Sequence, residues 1–263
     1  MRKINESYGV FNGCKELAIR IADEIFTNWK KDNDFFTPLD IPCWFSTDGE
    51  AHIYPTKYNL RAAYILDPRM DGRTTILVNP KIVNPLEEGK LIASLMHELT
   101  HAYRDAMKRR KGGSENQSAE SDGYYKNFNY KFGNDKYSIL KNNLSDFIYI
   151  TSQMEMPAFI AGMYGNLSGT MVEVETAEEA LEVIKSTPEY HRFEDAFKFA
   201  NEFYNCTDEN MQYDLVMWAN ELTTIKFRNF NQFRKWVVYK YNRASNKLMK
   251  FIPKMIYKFF EEN

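Results

Sequence analysis

The spacing of apolar residues predicts a helix near the start of the chain, over residues 13–31. Large apolar side chains recur there at every fourth position, which places them on one face of a helix. These residues are Leu17, Ile21, Ile25 and Trp29. We expect this face to be buried against the rest of the protein.

After this helix the pattern changes to short runs of β-branched and aromatic residues, which predict strands between residues 41 and 83. The runs are IPCWFS at 41–46, AAYILD at 62–67 and TTILVNP at 74–80. Asp-Gly pairs at 48–49 and 71–72 lie between the runs and are typical of tight turns. The sequence therefore predicts a small sheet in this part of the chain.

A long helix is predicted next, from about Leu86 to Arg109. Acidic residues at 87–88 begin it and basic residues at 108–111 end it, which is the charge order that the helix dipole favours. A polar, glycine-containing loop is predicted over 111–136. Helical patterns return over 137–166, with an interruption near 151–157, and three or four more helices follow from about residue 176.

These elements together predict an α+β fold, with a small, mainly antiparallel sheet near the front and helices behind it. We expect two regions. Residues 1–166 contain the first helix, the sheet and the long helices that follow it, and residues 167–263 form a helical C-terminal subdomain.

Composition places the chain among ordinary globular proteins. Of its 263 residues, 44% are hydrophobic and 27% are charged, which excludes wholesale disorder and fibrous structure. No apolar run approaches the roughly 18 residues of a membrane span, and the first residues lack a secretory signal, so we expect a cytoplasmic protein. The odd number and wide spacing of Cys14, Cys43 and Cys206 favour free thiols over disulfides.

Charge is divided unevenly along the second half. Residues 171–222 contain 13 acidic and 3 basic residues, whereas residues 225–260 contain 10 Lys and Arg and no acidic residue. The basic stretch could bind nucleic acid or an anionic membrane, or it could be the polar face of a core helix. Apolar residues at helical spacing favour the core helix. They are Phe230, Phe233, Val237, Tyr241, Ala244, Leu248 and Phe251.

One motif carries specific chemistry. Residues 97–101 read His-Glu-Leu-Thr-His, the HExxH pattern that binds a metal and hydrolyses amides when it lies on a helix. Imidazoles four residues apart are one turn apart, close enough to ligate the same ion. Glu98 lies beside them, where it can act as a general base on a zinc-bound water. The alternative is a surface helix with two incidental histidines.

The helical wheel favours the metal site over that alternative. With about 100° per residue, the two histidines lie on one side of the helix and the large apolar residues lie on the other. The apolar residues are Ile92, Leu95, Leu99, Tyr103 and Ala106. The histidines therefore face away from the buried stripe, toward the side where a cleft would lie.

The segment HELTHAYRD, residues 97–105, resembles the active-site helix of thermolysin-type zinc peptidases and, more broadly, the zincin superfamily. The resemblance implies an antiparallel sheet before the helix, whose edge strand binds peptide substrate, and TTILVNP occupies the place of that strand. It implies zinc bound by His97 and His101, with Glu98 as the general base. It covers about ten residues, and the third histidine of the metzincin motif is absent.

Glu155 is the predicted third zinc ligand. It lies in an apolar helical segment, 152–164, where a carboxylate is costly to bury unless a metal compensates. Gluzincins similarly carry a glutamate on the next long helix, although Met154 and Phe159 depart from the thermolysin-type pattern. In that family an aspartate supports a zinc-binding histidine, and Asp105 could take this role.

Other assignments stay open for the third ligand. Glu120 and Asp122 of the polar loop are candidates, and so are the distant His52 and His191. Glu155 could alternatively be a helix cap, since Ser152 and Glu155 have the spacing of a capping box.

The sequence thus predicts a zinc-dependent metallopeptidase of gluzincin type that acts on a peptide or protein substrate. One alternative is a structural or adaptor protein, for example of a phage particle, that retains a zincin fold. Another is a nucleic-acid-associated protease whose basic stretch, 225–260, binds DNA.

Overall fold

The computed structural model describes residues 2–32, 37–65, 73–83, 87–110, 133, 135–153, 155–170 and 173–262, and of residues 2–12, 29–32 and 136 the backbone alone. Within these residues the chain forms eight helices and four strands, so the α+β class is confirmed. In chain order the elements are α1 (Arg2–Asp32), β1 (Leu39–Pro42), β2 (Glu50–Pro55), β3 (Ala62–Ile65), β4 (Thr74–Val78), α2 (Glu88–Arg110), α3 (Lys136–Ile150), α4 (Glu155–Ser168), α5 (Ala177–Lys185), α6 (Pro188–Tyr204), α7 (Glu209–Leu222) and α8 (Phe230–Glu262).

The four strands form one mixed sheet in the order β1-β2-β4-β3. The outer pairs, β1 with β2 and β3 with β4, are antiparallel, whereas β2 and β4 run parallel. The prediction that TTILVNP is an edge strand is wrong, because β4 lies between two neighbours. Four of the five residues of β4 are buried, which is typical of a central strand, whereas all four residues of β3 are half-buried.

Strand β2 was not predicted, because a histidine and a proline interrupt its apolar pattern. In the structure, buried and more exposed residues alternate along β2, and Ala51 and Ile53 are fully buried.

Strand β1 ends earlier than predicted. After Pro42 the chain turns, the Cys43 N–H donates to the Gly49 carbonyl at 2.7 Å, and Gly49 adopts a φ of 82°. The predicted Asp-Gly turn at 48–49 is therefore present, and a glycine occupies its left-handed position.

The chain divides into two compact units. Unit 1 comprises Met1–Ser114, Ala158–Ile184 and Glu262–Asn263, and unit 2 comprises Glu115–Pro157 and Lys185–Glu261. The predicted domain boundary at residue 166 falls inside the second segment of unit 1.

The core of unit 1 is built on the packing of α1 against α2. The predicted stripe of α1 is buried at Leu17, Ile21 and Ile25, while the side chain of Trp29 lies outside the described residues. Helix α2 contributes its predicted apolar face, and Leu95 and Leu99 are fully buried. The structure thus confirms α2, predicted over residues 86–109, with a difference of two residues or fewer at each end.

Helix α4 lies against α2 within unit 1 through small residues. A Cβ atom built on Gly165 would lie 2.8 Å from the Cα of Ala93, and one built on Gly169 would lie 2.7 Å from the Cα of Gly89. The pairs run in opposite directions along the two segments, so the helices are antiparallel. Only glycine permits this close approach of the backbones.

We expect Gly165→Ala to lower the free energy of unfolding by about 1–3 kcal/mol, since the added methyl group overpacks the contact with Ala93. This loss should exceed the gain of about 1 kcal/mol that alanine brings to a helix interior. Chemical denaturation measures the difference, with Asn166→Ala on the same helix as a control. A Gly165→Ala protein as stable as the wild type would show that the two backbones are not in contact there.

Unit 2 is helical, with α3 packed on α6 and α7. The predicted core stripe of its last helix, α8, is largely confirmed. Phe233, Val237, Ala244 and Leu248 are buried, and Phe230 and Phe251 are half-buried. The exception is Tyr241, which is 38% exposed.

The three cysteines are free thiols, as expected. Burial, together with the nearby Cys43, raises the pKa of Cys14 to about 12, so this thiol stays protonated at neutral pH.

In the part of the chain that the structure describes, no helix combines the length and the apolar character that crossing a membrane requires.

Candidate metal centre

The two histidines of the HExxH motif converge on one point beside α2. They lie one turn apart on the helix, and both side chains are half-buried. The Nε2 atoms of His97 and His101 are 3.2 Å apart. The ring of Phe159, from α4, packs edge-on against the ring of His97 with centroids 4.9 Å apart. Packing by Phe159 therefore limits the orientations open to the first imidazole.

Glu155 joins these histidines. It is the first residue of α4, the helix whose residues from Ala158 onward belong to unit 1 and pack on α2. Its side chain is buried, with 7% of the residue exposed. One donor atom from each of His97, His101 and Glu155 lies within 4.8 Å of the others, so this group could hold a metal ion. The structure thus brings together the three residues that were predicted as ligands.

The capping interpretation of Glu155 is also correct in part. The Ser152 Oγ accepts a hydrogen bond from the Glu155 N–H at 3.0 Å, as the first residue of a capping box does. The Ser152 N–H donates to the carbonyl of Tyr149 at 3.1 Å. The cap uses the main chain of Glu155, while its carboxylate lies with the histidines. The two interpretations of this residue are therefore compatible.

Glu98 forms a hydrogen bond with the sheet. Its Oε2 accepts a hydrogen bond of 2.7 Å from the main-chain N–H of Tyr64 in β3. The Tyr64 hydroxyl donates to Asp105 Oδ2 at 3.0 Å, and Arg109 donates to the same oxygen at 2.6 Å. Sequence reasoning proposed Asp105 as support for a zinc-binding histidine. The structure places its carboxylate on Tyr64 and Arg109.

Comparisons with family models, with curated proteins and with solved structures found no match.

His191 lies outside this group. It is a residue of α6, its side chain is 61% exposed, and its Nδ1 lies 3.0 Å from Glu194. Glu120 and Asp122, the remaining candidates for a third ligand, lie outside the described residues together with most of the predicted loop over 111–136. Of the candidates that the structure describes downstream of α2, Glu155 is the one placed beside the motif histidines.

His52 belongs to a separate group on the sheet. Its Nδ1 lies 2.6 Å from Asp40 and its Nε2 lies 2.7 Å from Asp48. Burial lowers the pKa of His52, but the hydrogen bonds to the two carboxylates outweigh it and raise the pKa above its ordinary value. Both ring nitrogens therefore face carboxylates, and His52 links β1, β2 and the turn between them.

Tyr64 was missed by sequence reasoning. It lies in a run predicted as a strand, and nothing in its local sequence indicates contact with a helix 34 residues later. Its amide and its hydroxyl both reach α2 only because β3 is the strand that packs on this helix.

Proposed function

We propose that the protein is a zinc-dependent metallopeptidase of gluzincin type. In this proposal His97, His101 and Glu155 bind zinc, and Glu98 is the general base. The observation that carries it is the convergence of the three donor atoms within 4.8 Å, with Glu98 between the two histidines along α2. Two imidazoles and one carboxylate are a donor set of known catalytic zinc sites.

The separation of the histidines is compatible with zinc. Tetrahedral zinc with ligand distances of 2.0–2.1 Å has its donor atoms about 3.3 Å apart. The two Nε2 atoms are 3.2 Å apart, so little movement of the imidazoles is needed. The Glu155 carboxylate beside them is buried, and a bound cation would stabilise a buried carboxylate.

Each residue then has a chemical role. Bound zinc would supply a Lewis acid and make an attached water acidic enough to ionise near pH 7. His97 and His101 would hold the ion through their imidazole rings. Glu98 accepts a proton from the attacking water at its carboxylate and delivers it to the leaving amine, so that one group serves as base and then as acid. The reaction is hydrolysis of a peptide bond.

The test is metal analysis of the purified full chain, followed by a screen for cleavage of a peptide library. We expect about one zinc per chain after dialysis, and cleavage that a chelator abolishes and added zinc restores. A chain that never binds zinc would exclude the enzyme. A chain that binds zinc but cleaves no peptide would favour the structural or adaptor role.

A further inference from the structure

Tyr64 joins strand β3 to helix α2 at two points. Its main-chain N–H reaches Glu98, and its hydroxyl reaches Asp105. Glu98 and Asp105 are seven residues apart, which is close to two full turns, so both carboxylates lie on the same face of α2. One residue of the sheet therefore contacts the helix both at the proposed general base and two turns beyond it.

The amide of Tyr64 is an edge group of the sheet. Strand β3 pairs with β4 on one side, in an antiparallel register that sets Tyr64 opposite Ile76. The N–H of Tyr64 donates to Glu98 on α2, which shows that this N–H points away from β4. At the edge of a sheet such a group has no partner from the ladder. The Glu98 carboxylate supplies the missing acceptor.

The second contact, between the Tyr64 hydroxyl and Asp105, has an acceptor that is itself hydrogen-bonded. The Asp105 side chain is 12% exposed, and its Oδ2 also accepts a hydrogen bond from Arg109 on the next turn. A hydrogen bond from a phenol to a carboxylate is charge-assisted, which makes it stronger than a neutral one. Because Arg109 fixes the acceptor, the position of the Tyr64 hydroxyl is also fixed.

We propose that Tyr64 is a positioning residue for the proposed general base. The bond between its hydroxyl and Asp105 fixes β3 on α2, and the main-chain amide then holds Glu98 by Oε2. This inference rests on the proposed function, since it assigns the proton transfer to Glu98. Orientation matters here because a general base acts only from within hydrogen-bond reach of the proton that it removes.

The experiment compares Tyr64→Phe with Tyr58→Phe, a matched control whose residue is 68% exposed. Three quantities are measured on the full chain: zinc content, kcat with KM, and hydrogen exchange of the amide at position 64. We expect Tyr64→Phe to retain zinc, to lower kcat about tenfold with KM within about twofold, and to speed exchange at position 64 about tenfold. Tyr58→Phe should change none of them.

Asp105→Ala provides a second variant, which removes the acceptor and leaves the tyrosine in place. It should lower kcat and speed exchange at position 64 in the same way. Unchanged exchange in both variants would overturn the inference, and so would loss of zinc, since a positioning residue leaves the ligands intact. If the wild type cleaves no peptide but the exchange results hold, the positioning contact is supported and the proposed function is overturned.

Discussion

A chain with Glu98→Gln should bind zinc like the wild type and hydrolyse peptides at least about a hundred times more slowly. Glutamine keeps the size of the side chain, and its amide oxygen can still accept the hydrogen bond from the Tyr64 N–H. It cannot take a proton from water at neutral pH. The substitution therefore removes the base and leaves His97, His101 and Glu155 unchanged.

The measurements are zinc content after dialysis and kcat on a peptide that the wild type cleaves. Glu88→Gln, in the first turn of the same helix, is the matched control and should retain full activity. A Glu98→Gln protein with undiminished kcat would mean that another group removes the proton. A Glu98→Gln protein that loses zinc would mean that Glu98 is itself a ligand.

Glu155→Ala should weaken zinc binding by at least about a hundredfold, because it removes one of three protein ligands. The matched variant is Ser152→Ala, which removes the hydroxyl that caps the helix but leaves the Glu155 carboxylate in place. Ser152→Ala should lower the free energy of unfolding by about 0.5–2 kcal/mol and retain zinc. The pair separates the two roles that Glu155 combines.

Elemental analysis gives the zinc content, and a zinc-buffered titration with a chelator gives the affinity. Chemical denaturation of the zinc-free proteins gives the stabilities. If Glu155→Ala retains full zinc and loses only the stability expected of a cap, the third ligand lies elsewhere. Glu120, Asp122 and His191 would then be the residues to substitute next.

The sequence alone predicted the helix that carries the motif. Its charges lie at its ends and its apolar stripe has helical period, and both are properties of neighbouring residues on one helix. The same reasoning placed His97 and His101 on a face away from the stripe, and the structure gives the two Nε2 atoms 3.2 Å apart. The helix of Glu155 and the Ser152 cap were predictable for the same reason, since capping depends on residues three positions apart.

The tertiary structure decided what these elements contact. Strand order depends on pairing between distant segments, so periodicity could not show that β3, and not β4, forms the edge beside α2. Glycines at 165 and 169 let α4 approach α2 closely, and no local pattern shows which helix they face. A local sequence pattern shows which face of an element is apolar. The partner of that face follows only from the packing of the whole chain. The contact between Tyr64 and Glu98 could therefore be identified only in the tertiary structure.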